Sequence, residues 1–208
     1  MKIGSGIGIK KSLLVIGCVL VLAQPALALD VSGVKVEEVV KVANVDLKLN
    51  GAGVRHKNFF KVYVAALYLT ETKTNVADVL ATNGPRRLTL SMLRDVSSEA
   101  FGQSFMEGLN KNSSKSEKSR MIGQMQKFGE MFASIPELKK GDVVTVEWIP
   151  NVGSVCSHNG KRVAEPFPDL AFFNALLKIW LGEQPADSSL KRQLLGEKAD
   201  SGNVRREN

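Results

Sequence analysis

NGAGVRHKNFFKVYVAALYL, residues 50–69, is the stretch from which the fold of this chain is predicted. Its second half, residues 59–69, is almost wholly apolar, rich in aromatic and β-branched side chains, and free of Gly and Pro, which predicts a long strand. Side chains alternate along a strand, so Val64 and Ala66 face one way and Tyr63 and Ala65 the other. Both sets are apolar. We therefore expect a central strand that is covered on both faces.

The first half of the same stretch places an arginine beside two glycines. Gly51 and Gly53 flank Ala52, and the pattern predicts a turn with little side-chain bulk that ends in the guanidinium of Arg55. In one interpretation Arg55 clamps a ligand carboxylate or a developing oxyanion in a cleft. In the other it pairs with a neighbouring carboxylate or with carbonyls at the strand end.

Outside this stretch, alternation and helical periodicity predict the other elements. Residues 29–35 are expected to be a mobile lead-in, and Asn44 is expected to separate two antiparallel strands within residues 36–49. The remaining predictions are strands over 86–93 and 143–149, a hairpin on Asn159-Gly160, a short helix within 70–83, and helices over about 98–109, 115–132, 169–181 and 188–196. This order favours a single α+β domain, an antiparallel sheet with helices packed on one face.

The N-terminus has the pattern of a secretory signal peptide. Lys2, Lys10 and Lys11 precede an apolar run, residues 12–23, and Ala-Leu-Ala at 26–28 supplies small residues for cleavage after Ala28. The run is shorter than the ~20 residues of a membrane span, which disfavours an N-terminal anchor. We therefore predict a signal peptide over 1–28, one domain over 29–196, a disordered polar tail over 197–208, and a location in the periplasm or outside the cell, with no stable membrane span after cleavage.

The composition excludes several functional classes. Removing the three lysines and no acid of residues 1–28 changes the net charge from +7 to +4, without a dense basic block, so no nucleic-acid partner is predicted. The sequence has no metal-ligand or nucleophile motif, and we predict neither a metal nor a cofactor. Cys156 and His158 share one strand face, but two ligands alone are a weak metal site.

Two segments resemble the chalcone isomerase-fold family, in particular its bacterial exported branch. The first holds Gly51, Gly53 and Arg55, followed by FKVY at 60–63 and ALYL at 66–69; the second reads FFNALL at 172–177 and IWLGE at 179–183. The resemblance covers about residues 36–196. It implies an open-faced β-sandwich, a large sheet with a helical layer, which agrees with the α+β prediction from the pattern.

The resemblance also implies which side chains carry function. Arg55 matches the arginine that orients the substrate in chalcone isomerases, but the position of the catalytic threonine holds Tyr63. Residues 94–108, where a catalytic tyrosine and asparagine are expected, contain neither. The family's non-catalytic branch binds fatty acids through an arginine and a nearby tyrosine, which Arg55 and Tyr63 would provide.

Three functions from different classes follow. The first is binding of an apolar small molecule, such as a fatty-acid-like carboxylate, and its predicted ligand site consists of Arg55, Tyr63, Phe101, Phe105 and Met125. In that hypothesis the Met- and Phe-rich helices form an adaptable wall, whereas their plainer interpretation is core packing. The second is an isomerase or intramolecular lyase that uses the same pocket, with Arg55 as its only candidate catalytic residue. The third is a structural or partner-binding module whose pocket is filled by its own side chains.

Overall fold

A computed structural model describes residues 28–135 and 137–198 of the chain. The predicted signal peptide and C-terminal tail lie outside the described residues, apart from Ala28 and the pair 197–198. The strands are β1 (Ala28–Val31), β2 (Val34–Glu37), β3 (Val39–Val42), β4 (Val45–Lys57), β5 (Phe60–Leu69), β6 (Arg86–Met92), β7 (Val96–Ser97), β8 (Glu137–Leu138), β9 (Val143–Ile149), β10 (Gly153–His158) and β11 (Lys161–Arg162). The helices are α1 (Val76–Ala81), α2 (Ser98–Asn112), α3 (Lys115–Ala133), α4 (Leu170–Leu181) and α5 (Ser188–Leu194).

Seven strands form one antiparallel sheet in the order β11-β10-β9-β6-β5-β4-β3. Strand β5 lies between β4 and β6, well inside this sheet, as its continuous apolar sequence predicts. The pairs β1-β2 and β7-β8 form two small sheets of their own. The predicted α+β class, an antiparallel sheet with helices, is confirmed.

Both faces of β5 are buried, as the alternation predicts. Tyr63, Ala65 and Leu67 belong to the large core beneath the helices, whereas Val64 and Ala66 belong to a smaller cluster on the opposite face. Residues of β1 and β2 pack against this smaller cluster, and Val36 is 4% exposed. The expectation of a mobile lead-in over residues 29–35 is therefore wrong, because most of these residues form a hairpin that covers the second face of the sheet.

The turn predicted at Gly51 and Gly53 is wrong, because both glycines lie inside β4. A Cβ added to Gly51 would lie 2.0 Å from the backbone oxygen of Gln193, and one added to Gly53 would lie 1.7 Å from the side-chain Oε1 of the same residue. The glycines therefore allow the end of α5 to approach the strand closely. The reversal of the chain occurs later, at Asn58, where φ is 55°.

Local sequence patterns predicted several other turns and helix ends correctly. Ala43 and Asn44 have φ values of 48° and 64° between β3 and β4, and Asn159 and Gly160 have φ values of 50° and 76° in the predicted hairpin. Ser114 and Glu117 form the predicted capping box at the start of α3. Among the described residues, no helix is both long enough and apolar enough to cross a membrane.

Arg86 lies on the core face of β6 and is 0% exposed. Its Nη1 donates to the carbonyls of Val79 and Leu80 and, at 3.0 Å, to Oδ1 of Asn174, while the guanidinium carbon lies 5.0 Å from the centre of the Phe173 ring. Burial lowers the pKa of Arg86 to about 10. This side chain ties α1 and α4 to the sheet.

Candidate functional site

Arg55 on β4 and Tyr63 on β5 are cross-strand partners in the sheet. Alternation puts Arg55 on the same face as Gly51 and Gly53, the face that α5 covers. Helix α5 covers this face as far as its N-cap, Asp187. The Oδ2 of Asp187 accepts a 2.9 Å hydrogen bond from the backbone N–H of His56. Beyond that cap, Arg55 and Tyr63 both line a cavity.

The cavity has a volume of about 320 Å³ and lies between the β4–β5 hairpin, the start of α2 and the end of α4. This volume lies within the range of small-molecule sites, roughly 300–1,000 Å³. The residues that line it are Arg55, Lys57, Asn58, Phe60, Val62, Tyr63, Arg94, Asp95, Val96, Ser97, Ala100, Phe101, Ser104, Phe105, Ile179 and Ala186.

The guanidinium of Arg55 is half-buried and has unused donors. Its Nε is buried without a hydrogen-bond partner, and Nη1 makes only a long 3.5 Å contact with the carbonyl of the adjacent His56. Among the residues that the structure describes, no carboxylate lies within 4.0 Å of it. A charged group without an ion-pair partner gains from an acceptor, and Arg55 lines the cavity in which such an acceptor could bind.

Tyr63 also lines this cavity, and its hydroxyl has one hydrogen-bond partner in the core. Its hydroxyl oxygen accepts a 2.8 Å hydrogen bond from Nε1 of Trp180, which leaves its own O–H without an acceptor among the described residues. Burial raises the pKa of Tyr63 to about 12, against the opposing effect of the nearby Arg55 charge. The hydroxyl is therefore protonated at neutral pH and acts as a donor rather than as a base.

Aromatic side chains of α2 form the inner wall. Phe101 meets Tyr63 edge to face at 6.3 Å between ring centres, and Phe105 meets Trp180 in the same way at 5.2 Å. Both phenylalanines are 3% exposed, so they serve the core and line the cavity at once. Core packing and a ligand-binding wall were alternatives in the sequence analysis. These two side chains lie where both roles are possible.

The structure thus brings four predicted site residues, Arg55, Tyr63, Phe101 and Phe105, around one cavity. The placement predicted for Met125 is corrected: it does not line this cavity and lies, 8% exposed, within the core. The α2–α3 packing explains this position, because Met125 sits in the middle of α3, away from the start of α2 that borders the cavity.

The mouth of the cavity contains residues that the sequence interpretation missed. Phe60, the first residue of β5, is 59% exposed, and the guanidinium of Arg94 lies over its ring at 4.6 Å from the centre. Lys57 and Asp95 lie beside them in the lining, and Oδ1 of Asp95 accepts a 2.7 Å hydrogen bond from the backbone N–H of Lys140. The available signal was the sequence Lys-Asn-Phe-Phe-Lys, whose two aromatics follow a turn-favouring asparagine.

The polar side chains that line the cavity include two serines of α2 as well as Arg55 and Tyr63. The start of α2 contributes Ser97 and Ser104, whose hydroxyls are engaged: Ser97 Oγ accepts from the backbone of Ala100, and Ser104 Oγ donates to its carbonyl at 2.8 Å. Two donors from Arg55 and Tyr63 at the polar side, opposite apolar walls, suit a ligand with an anionic head and an apolar body.

Cys156 and His158 do not form a shared site. Cys156 is 2% exposed in the core, and burial raises the pKa of its thiol to about 12. His158 Nε2 lies 2.9 Å from Asp142 Oδ2 in an ion-pair geometry near the β9–β10 hairpin. Across the described residues, no group of three or more His, Cys, Asp or Glu side chains is arranged to hold a metal ion.

Comparison with known proteins places this geometry in a family. A fatty-acid binding protein of Arabidopsis thaliana has a similar structure, with a TM-score of 0.62 and 15% sequence identity over 78% of this chain and 92% of that one. No curated protein sequence matches the chain significantly. The family model described as chalcone isomerase-like matches residues 28–196. The chain belongs to the chalcone isomerase-like family.

Proposed function

We propose that this protein binds an apolar carboxylate, of the fatty-acid type, in the cavity beside Arg55. The observation that carries the proposal is that Arg55 lines a cavity of about 320 Å³ and, among the described residues, has no carboxylate within 4.0 Å. A guanidinium fits a carboxylate in a bidentate manner, and such charge-assisted pairs are strong where water is excluded.

The ligand head lies between the two cross-strand partners. Arg55 donates to one or both carboxylate oxygens, and the O–H of Tyr63, held in place by Trp180, donates to one of them. The apolar body then lies along Val62, Phe101, Phe105 and Ile179. Burial of this body supplies binding energy in proportion to its apolar area, while the donors select for the acid head.

One comparison supports this ligand class. The similar Arabidopsis structure is that of a fatty-acid binding protein, and its likeness to this chain extends over the domain that contains the cavity. At 15% identity that likeness concerns the fold, so the assignment of the ligand rests on Arg55 and Tyr63 of this chain.

The direct test compares two probes that differ only at the head group. The dissociation constants of dodecanoate and dodecanol are measured by calorimetry for the native protein and for Arg55→Met and Arg120→Met. Arg120 is an exposed arginine on α3 that does not line the cavity, and it controls for loss of one positive charge. The affinity of Arg55→Met for dodecanoate should fall roughly 10- to 150-fold, because a hydrogen bond to a charged group contributes about 1.5–3 kcal/mol.

The alcohol should bind both variants and the native protein with similar affinity, since it makes no ion pair. Equal affinity of Arg55→Met and native protein for dodecanoate would contradict the proposed role of Arg55. Binding of neither probe to the native protein would contradict the assignment of the ligand class.

We also propose that the mature protein is exported after removal of residues 1–28. The basic start, the apolar run and the small residues at 26–28 support this proposal, and the family match begins at residue 28. The mass of protein recovered from the producing cell should correspond to a chain that begins at Leu29. An intact chain that begins at Met1, recovered from the cytoplasmic fraction, would contradict it.

A further inference from the structure

The tip of the β4–β5 hairpin, residues 57–61, exposes two adjacent phenylalanines. Phe59 is 98% exposed and Phe60 59% exposed, although such side chains are normally among the most buried. The strands pair as far as Lys57 and Phe60, so the chain reverses over Asn58 and Phe59 alone. Phe59 is therefore presented at the apex of a hairpin that is paired close to its end.

Positive charge surrounds these aromatics. Lys57 and Lys61 flank them along the chain, and Arg94 stacks over the ring of Phe60. Within residues 28–135 and 137–198, no carboxylate lies within 4.0 Å of the charged nitrogens of these three side chains. Asp95, an acid in the lining of the cavity, accepts a hydrogen bond from the backbone N–H of Lys140.

We propose that this hairpin tip docks on the surface of an anionic lipid bilayer. Exposed aromatics insert at the boundary between head groups and acyl chains, and lysines beside them are attracted to anionic head groups. A bilayer explains both features together, since it offers an apolar layer directly beneath negative charge. A purely apolar protein surface would leave the positive charges without partners, and a nucleic acid would offer no apolar layer to the phenylalanines.

The position of the tip adds an independent reason. Lys57, Asn58 and Phe60 line the mouth of the cavity, so a docked tip brings that mouth to the bilayer surface. An apolar molecule would then pass between lipid and cavity with little exposure to water. Docking itself does not depend on the proposed ligand, and the two can be tested separately.

The experiment is a flotation assay with vesicles of phosphatidylcholine alone and of phosphatidylcholine with 30% phosphatidylglycerol. The protein is purified without detergent from the cells that naturally produce it. The mass of each purified protein is measured to verify that all variants begin at the same residue. Native protein should float with the anionic vesicles. Phe59→Ser should bind them about tenfold more weakly, because one large apolar side chain is lost from the lipid boundary. Ile122→Ser removes a 71% exposed apolar side chain on α3 and should bind like the native protein.

Lys57→Gln combined with Lys61→Gln should weaken binding to anionic vesicles roughly fivefold for each charge and so reduce the preference for them over neutral vesicles. Phe59 does not line the cavity, so Phe59→Ser should retain the native affinity for dodecanoate, whereas Arg55→Met should lose that affinity and retain flotation.

Native flotation of Phe59→Ser, or an absence of vesicle binding by the native protein, would overturn the proposal. So would a change of oligomeric state in Phe59→Ser without any change in flotation, which would make the tip a contact between copies.

Discussion

Trp180 on α4 donates a 2.8 Å hydrogen bond from its indole Nε1 to the hydroxyl oxygen of Tyr63 on β5. Both side chains are almost fully buried, at 1% and 5% exposure. This bond fixes the rotation of the tyrosine hydroxyl so that its hydrogen points away from the indole. In the proposed complex this hydrogen is the donor that Tyr63 offers to the ligand head.

Tyr63→Phe tests this role of the hydroxyl. The variant removes one proposed donor to the ligand head, so the affinity for dodecanoate should fall roughly tenfold or more, as expected for one hydrogen bond to a charged group. It also leaves the Trp180 N–H buried without its acceptor, which should lower the free energy of unfolding by about 1–3 kcal/mol. Calorimetry and urea denaturation measure the two effects.

Tyr68→Phe is the matched control, because Tyr68 is the other tyrosine of the chain and faces the opposite side of the sheet. Its affinity for dodecanoate should equal that of the native protein. If Tyr63→Phe also binds dodecanoate with native affinity, the hydroxyl does not contact the ligand.

Gly51→Ala tests the close approach of α5 to β4. The new Cβ would lie 2.0 Å from one backbone oxygen of α5 and 2.9 Å from the next, at Leu194. We expect a loss of about 1–3 kcal/mol in the free energy of unfolding, since the backbone of the helix must move. Gly123→Ala on α3 is the control: its Cβ meets nothing within 4 Å, and alanine should stabilise the helix by up to about 1 kcal/mol. Native stability of Gly51→Ala would show that α5 does not rest on this glycine.

The Glu117–Lys178 pair predicts how stability depends on pH. A hydrogen bond from Lys178 Nζ, at 2.9 Å, and two further ones from Ser114 lower the pKa of Glu117 to about 2. The pKa of an unfolded glutamate is about 4.3. Since the folded pKa is the lower one, the stabilisation is fully present above pH ~4.3 and is lost as the pH falls towards 2.

Urea denaturation between pH 6 and pH 2.5 measures this dependence. Glu117→Gln should be less stable than the native protein at pH 6, and the difference should shrink as the pH falls. The effect should be modest, because the Glu117 side chain is 39% exposed and solvent screens the pair. A constant difference across this pH range would contradict the assignment.

The fold was largely predictable because its signals are local. The apolar run of β5, the stripe of Phe101 and Phe105 on α2, and the capping box at Ser114 each depend on neighbours along the chain. The sequence interpretation failed where partners are distant. Gly51 and Gly53 have the local pattern of a turn, and only the contact with Gln193, about 140 residues later, explains them as parts of a strand.

Part of the candidate site was also predictable from local sequence. Arg55 and Tyr63 lie on one continuous stretch, and their pairing across the hairpin brings them together. Trp180 as the partner of Tyr63, Arg94 over Phe60, and the buried Arg86 depend on tertiary contacts that no spacing in the sequence indicates. Met125 was misplaced for the same reason, since helical periodicity gives the buried face of α3 but not which part of the core that face meets.

Native mass spectrometry of the protein purified, without added lipid, from the cells that produce it tests whether the cavity binds an apolar carboxylate. The account predicts an adduct whose mass matches an apolar carboxylate, present on native protein and on Arg120→Met and absent from folded Arg55→Met. A bare mass for the native protein, together with no uptake of added dodecanoate, would contradict it.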